Sequence, residues 1–325
     1  MMNLLLVSET PVAGTVCRFS EALATDERIS DSFPFVLRNY KNSPFDLPHG
    51  QMSIYPNWAN LLGEYAKNAD HVIFHNCTQQ SYIDIVKKSV KSDASLNYHF
   101  HSPPFEPPLF SYDIITENNF DNVFTVAQGY SRFFETSVSI ANIIPDIKLF
   151  KIQNRRSAII VGHLRTTSAR WSKKIPANLV KNLEILFKNS GVEVCTIPSI
   201  FGSETVPYRT FSQSLQSFDY VIDDICSGLF HQISLEGLKS GCIVFSAADE
   251  YSLNSFCQAA QCPPPPFDFV SDIHDIYEKV RYYERNPSTL RAKQANNLIF
   301  SNEYLSAKRL SDIATKKIID SVSMT

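Results

Sequence analysis

Short apolar runs alternate with amphipathic stretches along the whole chain. Residues 3–7, 70–74, 96–100 and 122–126 are apolar runs of strand length, and 141–145 predicts a last strand of the first half. Between them, 15–24, 58–69 and 79–90 place apolar residues at helical spacing, with Leu61, Leu62 and Tyr65 on one face of the second. Lys87, Lys88 and Lys91 gather at the end of the third, where a helix dipole favours cations. A short helix is expected at 130–135. Pro34, Pro44, Pro48 and Pro56 punctuate 30–57, which reads as irregular chain.

A polar stretch at 146–156 interrupts the pattern, and the alternation then resumes. Residues 157–162 predict a strand, 163–174 a polar and basic loop, 178–190 a helix, 192–197 a strand and 208–217 a helix. Four prolines at 263–266 form a rigid turn. Helices are expected at 272–286 and over most of 288–317, with the last helical piece at 301–319. Strand–helix alternation of this kind builds parallel sheets covered by helices. The prediction is two doubly wound, Rossmann-like α/β domains, 1–150 and 151–300, followed by a C-terminal helix within 301–325.

The most informative stretch is 219–246, DYVIDDICSGLFHQISLEGLKSGCIVFS. A short apolar strand runs into Asp223 and Asp224, and a small-residue turn follows at Cys226, Ser227 and Gly228. An amphipathic helix then carries Phe230, Ile233, Leu235 and Leu238 inward, Gly241 stands at its C-cap, and a second strand begins at Cys242. In such sheets ligands bind at the carboxyl ends of strands, and anions favour the N-termini of the following helices. Asp223, Asp224, Ser227, Gly228, His231 and Glu236 cluster at that place. The segment reads as the holder of the nucleotide of an activated sugar.

Composition narrows the field. A chain of 325 residues suits two domains better than one core. The net charge of −3 gives no general reason to expect nucleic acid or an acidic membrane as partner. No apolar run approaches the roughly 20 residues of a membrane span. The apolar start without a basic leader predicts a first strand, not a signal peptide. Seven cysteines with no CxxC pair predict free thiols in a reducing cytoplasm and no zinc site. GxGxxG, Walker A, HExxH and GxSxG motifs are all absent, which argues against the usual dinucleotide oxidoreductases.

Several side chains have chemistry suited to such a donor. A helical Glu is usually just solvated, but Glu236 lies beside Leu235 and Leu238 on the first turns of a helix, where a carboxylate facing a cleft can accept both hydroxyls of a ribose. Arg165, Arg170, Lys173 and Lys174 share the loop at 163–174, and fixed cations stabilise a departing diphosphate. His101 ends a strand, and His99 points to the same face because a two-residue step restores the pleat. His75 and Asn76 end the preceding strand. Gly14 follows the first strand, where a glycine lets backbone approach a ligand.

Residues 224–245 resemble the donor-binding signature of GT-B glycosyltransferases of the family 4-like group, and DDICSGLFHQISLEGL is closest to a subgroup ending in Leu-Glu-Gly-Leu. The resemblance implies two domains facing a cleft and transfer of a sugar from a nucleotide diphosphate sugar, a UDP-sugar first, to an acceptor hydroxyl. It further implies retention of configuration and no cofactor or metal. On this resemblance Glu236 grips the ribose, Ser227, Gly228 and His231 lie near the diphosphate, and Asp224 is a further donor-binding residue. Arg165 with Lys173 or Lys174 contacts the diphosphate, His101 touches the donor sugar, and Gly14 lies on the loop facing donor and acceptor. The last helix crosses back to the first domain. One departure stands out: the wider family has a second, sugar-contacting Glu eight residues before the first, and here that position is Gly228. Either Asp224 or His231 stands in, or the sugar is recognised differently. The implied acceptors are a surface glycan, a lipid-linked glycan or a modified DNA base, and the implied location is the cytoplasm or the inner face of a membrane. A nucleotide-sugar epimerase of the same architecture, or a non-catalytic binding protein on this fold, are the alternative readings.

Overall fold

The structure, a computed structural model, describes residues 1–12, 14–40, 47–77, 79–103, 112–148, 156–162, 173–202, 206 and 208–322. Two compact units divide the chain: Met1–Pro145 with Ala307–Thr325, and Asp146–Ser306.

The first unit runs β1 (Met2–Ser8), α1 (Thr15–Leu23), β2 (Ile29–Val36), α2 (Trp58–Asn68), β3 (His71–His75), α3 (Gln80–Ser89), β4 (Ser95–Phe100), α4 (Tyr112–Asn118), β5 (Asn122–Val126) and β6 (Val138–Ile140). Among the described residues its sheet has six parallel strands in the order β2-β1-β3-β4-β5-β6. Strand alternation sorts the side chains onto two faces. Leu5, Val7, Phe74, Tyr98 and Phe100 pack with Leu62, Ala66, Ile83 and Val86 of α2 and α3. On the other face Phe19 of α1 meets His75 and His99 edge-on.

The second unit runs β7 (Arg156–Val161), α5 (Leu179–Phe187), β8 (Glu193–Thr196), α6 (Ile197–Phe201), α7 (Tyr208–Leu215), β9 (Phe218–Ile222), α8 (Gln232–Lys239), β10 (Ile243–Ser246), α9 (Glu250–Ala260), β11 (Asp268–Phe269), α10 (Ile273–Arg285) and α11 (Pro287–Tyr304). Its five described strands are parallel in the order β11-β10-β9-β7-β8. One face packs Ile159, Val161 and Ile222 against Leu179, Leu183 and Phe187 of α5 and Ile276 and Val280 of α10. The other packs Ala158, Ile160 and Val221 against Leu215 and Ile233. The final helix, α12 (Ala307–Val322), belongs to the first unit, where Ser311 donates to the Ala22 carbonyl and Lys317 to that of Ser139.

Four expectations need correction. Residues 29–36 form β2 despite Pro34, because β2 is the edge of its sheet and a missing N–H costs no ladder bond there. The last strand of the first sheet is Val138–Ile140, and 141–145 lies outside the sheet. The C-terminal helix begins at Ala307, after a break at Leu305 and Ser306, and not at 301. Finally, α4, α6, α9 and β11 have no counterpart in the pattern reading; α9 escapes it because it is interrupted by polar residues and has a weakly apolar face. Among the described residues no helix is long and apolar enough to cross a membrane, and none of the seven cysteines forms a disulfide.

Two glycines set how closely α8 lies on its sheet. A Cβ on Gly162 would collide with Ile233 Cδ1, and one on Gly237 would stand 2.9 Å from Val244 Cγ2. Gly162→Ala should therefore destabilise the second unit by about 1–3 kcal/mol in urea denaturation, the usual scale of overpacking. Adding Ile233→Val, which removes the obstructing carbon, should restore part of that loss. In the first unit Asp26 accepts the Arg28 backbone N–H at 2.9 Å and its guanidinium at 2.8 and 2.5 Å. The guanidinium hydrogen bonds are the main cause that holds the Asp26 carboxyl down at about 2. A depressed carboxyl stabilises the fold above its unfolded value and loses that contribution as pH falls toward its folded one. Denaturation midpoints should thus drop between about pH 4 and pH 2, and Asp26→Asn should flatten that part of the profile.

Candidate functional site

Strand order places the candidate site. In the second unit the connection from β7 leads outward to β8, whereas that from β9 leads the other way to β10. The carboxyl ends of β7 and β9 therefore flank a topological switch point, the place where open α/β sheets leave a crevice for ligands. Gly162 follows β7 and Asp223 follows β9; the Gly162 N–H donates to Ile222 O at 3.0 Å.

Two fully buried carboxylates build the loop from β9 to α8. Asp223 Oδ2 accepts the His231 N–H at 2.6 Å and the Ser234 hydroxyl at 2.5 Å, so it ties the first turn of α8 to the strand end. Asp224 Oδ1 accepts the N–H groups of Cys226 at 2.9 Å and Ser227 at 2.8 Å, an Asx-type turn. Its Oδ2 accepts the Ser227 hydroxyl and lies 3.1 Å from His231 Nε2. Asp224, Ser227 and His231 are thus brought together, with the Asp224 carboxylate turned into the loop.

Gly228 has φ +75°, the left-handed region that favours glycine. Its carbonyl accepts the Asp249 N–H at 2.9 Å and the Ser252 hydroxyl at 2.7 Å. A Cβ there would stand 2.7 Å from Asp249 Oδ2. The carboxylate beside position 228 therefore comes from the N-cap of α9, not from residue 228 itself. Asp249 was missed in the sequence along with α9, which it caps through Ser252 N–H at 2.9 Å. An Asp three residues before a Ser at the start of a helix was the available signal.

Glu236 lies on α8, is 5% exposed and accepts Gln232 Nε2 at 2.7 Å. The end of the basic loop reaches the same region, since the Lys174 carbonyl accepts the Ile225 N–H at 3.0 Å. Lys174 is buried and Lys173 exposed. Arg165 and Arg170 lie outside the described residues.

His101 and Gly14 belong to the first unit. Gly14 is the left-handed N-cap of α1, with φ +78°. His101 follows β4, its N–H donates to Asn76 Oδ1 at 2.8 Å, and its Nε2 lies 2.8 Å from His75 Nδ1. Burial is the main cause that lowers the pKa of His75 and His99 well below the usual imidazole value, and that of His101 to about 3. All three rings are neutral near pH 7. A separate concavity of about 560 Å³ between β11 and α10, lined by Phe267, Glu278 and Tyr282, lies at the sheet edge away from the switch point.

No protein-family model matches the chain, and no curated protein matches it in sequence. Solved structures do match in fold. HepE of Anabaena, in complex with UDP-glucose, superposes with a TM-score of 0.65 at 12% identity over 98% of this chain and 100% of its own. The same protein with UDP and glucose gives 0.63 over 100% of both chains, again at 12% identity. A glycosyltransferase of Rickettsia africae gives 0.61 at 11% identity over 99% of both. The chain has the GT-B fold: two α/β units, each on a parallel sheet.

If Asp224 organises the loop, Asp224→Ala should cost about 3 kcal/mol, because a buried charged acceptor is lost to four donors. Amide exchange at Cys226 and Ser227 should accelerate while that of the β10 amides is preserved, a contrast readable by hydrogen-exchange mass spectrometry.

Proposed function

We propose that this chain transfers a sugar from a nucleoside diphosphate sugar, with UDP as the nucleotide, to an acceptor hydroxyl. Configuration at the sugar is retained, and no metal ion serves the diphosphate. The observation that carries this reading is the placement of a buried carboxylate, Glu236, on the helix that starts at the β7/β9 switch point. The HepE structures of the same fold, described as complexes with UDP and UDP-glucose, support it.

The roles follow from charge and geometry. Glu236 would accept the ribose hydroxyls in place of Gln232. The diphosphate would meet the Gly228 N–H and the first turn of α8, whose dipole favours an anion. The Ser227 N–H already serves Asp224, so it is a loop contact first. Lys174 with Lys173 and Arg165 would supply cations as charge develops on the leaving oxygen. The bond from the anomeric carbon to the diphosphate oxygen breaks. The acceptor oxygen bonds to that carbon on the same face, and its proton passes to the departing diphosphate. Positioning and fixed charge supply the catalysis, with no covalent enzyme intermediate.

Calorimetry with UDP and GDP tests this reading. Wild type should bind UDP more tightly than GDP. Glu236→Ala should weaken UDP binding by about tenfold or more, equivalent to about 1.4 kcal/mol. Unchanged UDP affinity in a folded Glu236→Ala protein would contradict the assignment.

A further inference from the structure

His75 closes β3 and His99 lies beside it in register on β4, so their side chains share a face of the sheet. His101, two residues on, joins them. Ring centroids are 5.2 Å apart for His75 and His99, 5.0 Å for His75 and His101, and 4.0 Å for His99 and His101. One nitrogen of each ring lies within 4.8 Å of the other two. Phe19 walls the cluster from α1. The strand ends are fixed by Asn76, whose side chain accepts from the His101 N–H and donates to Ser102 Oγ at 3.0 Å.

The hydrogen bonding of this cluster is incomplete. His75 is 0% and His99 2% exposed. Among the described residues, neither ring nitrogen of His99 and not Nε2 of His75 has a hydrogen-bond partner. Buried polar atoms are rarely left so, because each forfeits its hydration without replacement. Three converging neutral imidazoles are also the donor set of open, three-ligand zinc sites.

We propose that His75, His99 and His101 bind a divalent transition-metal cation of the zinc class through one ring nitrogen each, leaving one coordination position open. The absence of a carboxylate from the cluster, among the described residues, disfavours magnesium and calcium. Zinc–nitrogen bonds of about 2.0–2.1 Å put tetrahedral ligand nitrogens about 3.3 Å apart. The ligand nitrogens, within 4.8 Å of one another, therefore reach that spacing by rotation of the rings. The positive charge of Arg18, itself buried, acts on His101. It favours an anion, such as hydroxide or a carboxylate or phosphate oxygen, in the open position. The site escaped the sequence reading because two of its ligands are 26 residues apart, outside the compact Cys/His spacings that announce zinc.

The inference is independent of the donor reading, and its test reads metal rather than turnover. The full chain, stripped with a chelator, is titrated with Zn2+ by calorimetry and with Co2+ by visible absorption. One equivalent should bind, Co2+ should show a tetrahedral spectrum, and Zn2+ should raise the melting temperature. His99→Phe, which preserves an aromatic ring against Phe19, should bind Zn2+ at least 100-fold more weakly. His274→Ala, at an exposed site on α10, should bind like wild type. If His99→Phe does not fold, His101→Ala takes its place, since His101 is only half-buried. Less than one equivalent on wild type, as for a site filled by water, would overturn the proposal. So would equal binding by the His274 variant and the ligand variants. A Glu236→Ala protein that loses UDP but keeps its metal would separate the two readings.

Discussion

Asp223 sits at the end of β9 with no solvent exposure, and its Oδ2 accepts the His231 N–H and the Ser234 hydroxyl. That contact fixes where α8 begins. A buried carboxylate is costly unless its lone pairs are filled, and filling them from the first turn of a helix fixes helix and strand to each other. Asp224 does the same for the turn between them, through Cys226, Ser227 and His231. Glycines do the rest: Gly162 and Gly237 let α8 lie close to the sheet, and Gly228 turns the loop beneath Asp249. Glu236 owes its place to these constraints.

Much of this was legible in the sequence, for local reasons. The strand–turn–helix–strand pattern at 219–246 reflects periodicities of two and 3.6 residues, and Gly241 at φ +71° stops α8 as a C-cap glycine should. Pro34 misled because proline opposes strands in general, whereas its cost depends on whether the strand is at an edge, which only topology decides. Residue 228 looked like a missing carboxylate. Space is shared in three dimensions, however, and Asp249, 21 positions later, occupies it. Asp223 and Asp224 drew attention as charges near a ligand, yet their oxygens are engaged by the loop itself. A sequence displays a carboxylate without displaying what hydrogen-bonds to it.

The first unit carries the same lesson from the other side. His99 and His101 were placed on one face by the pleat, and the register of β3 against β4 adds His75. Burial then keeps all three neutral, a property of surroundings no motif encodes.

The central claim is that the β7/β9 switch point and the start of α8 hold a nucleoside diphosphate. Hydrogen exchange of the intact protein with and without UDP tests it most directly. Added UDP should slow exchange in peptides spanning 222–240 and leave 267–283, around the separate concavity, unchanged. Protection confined to 267–283, or absent from 222–240 at saturating UDP, would contradict it.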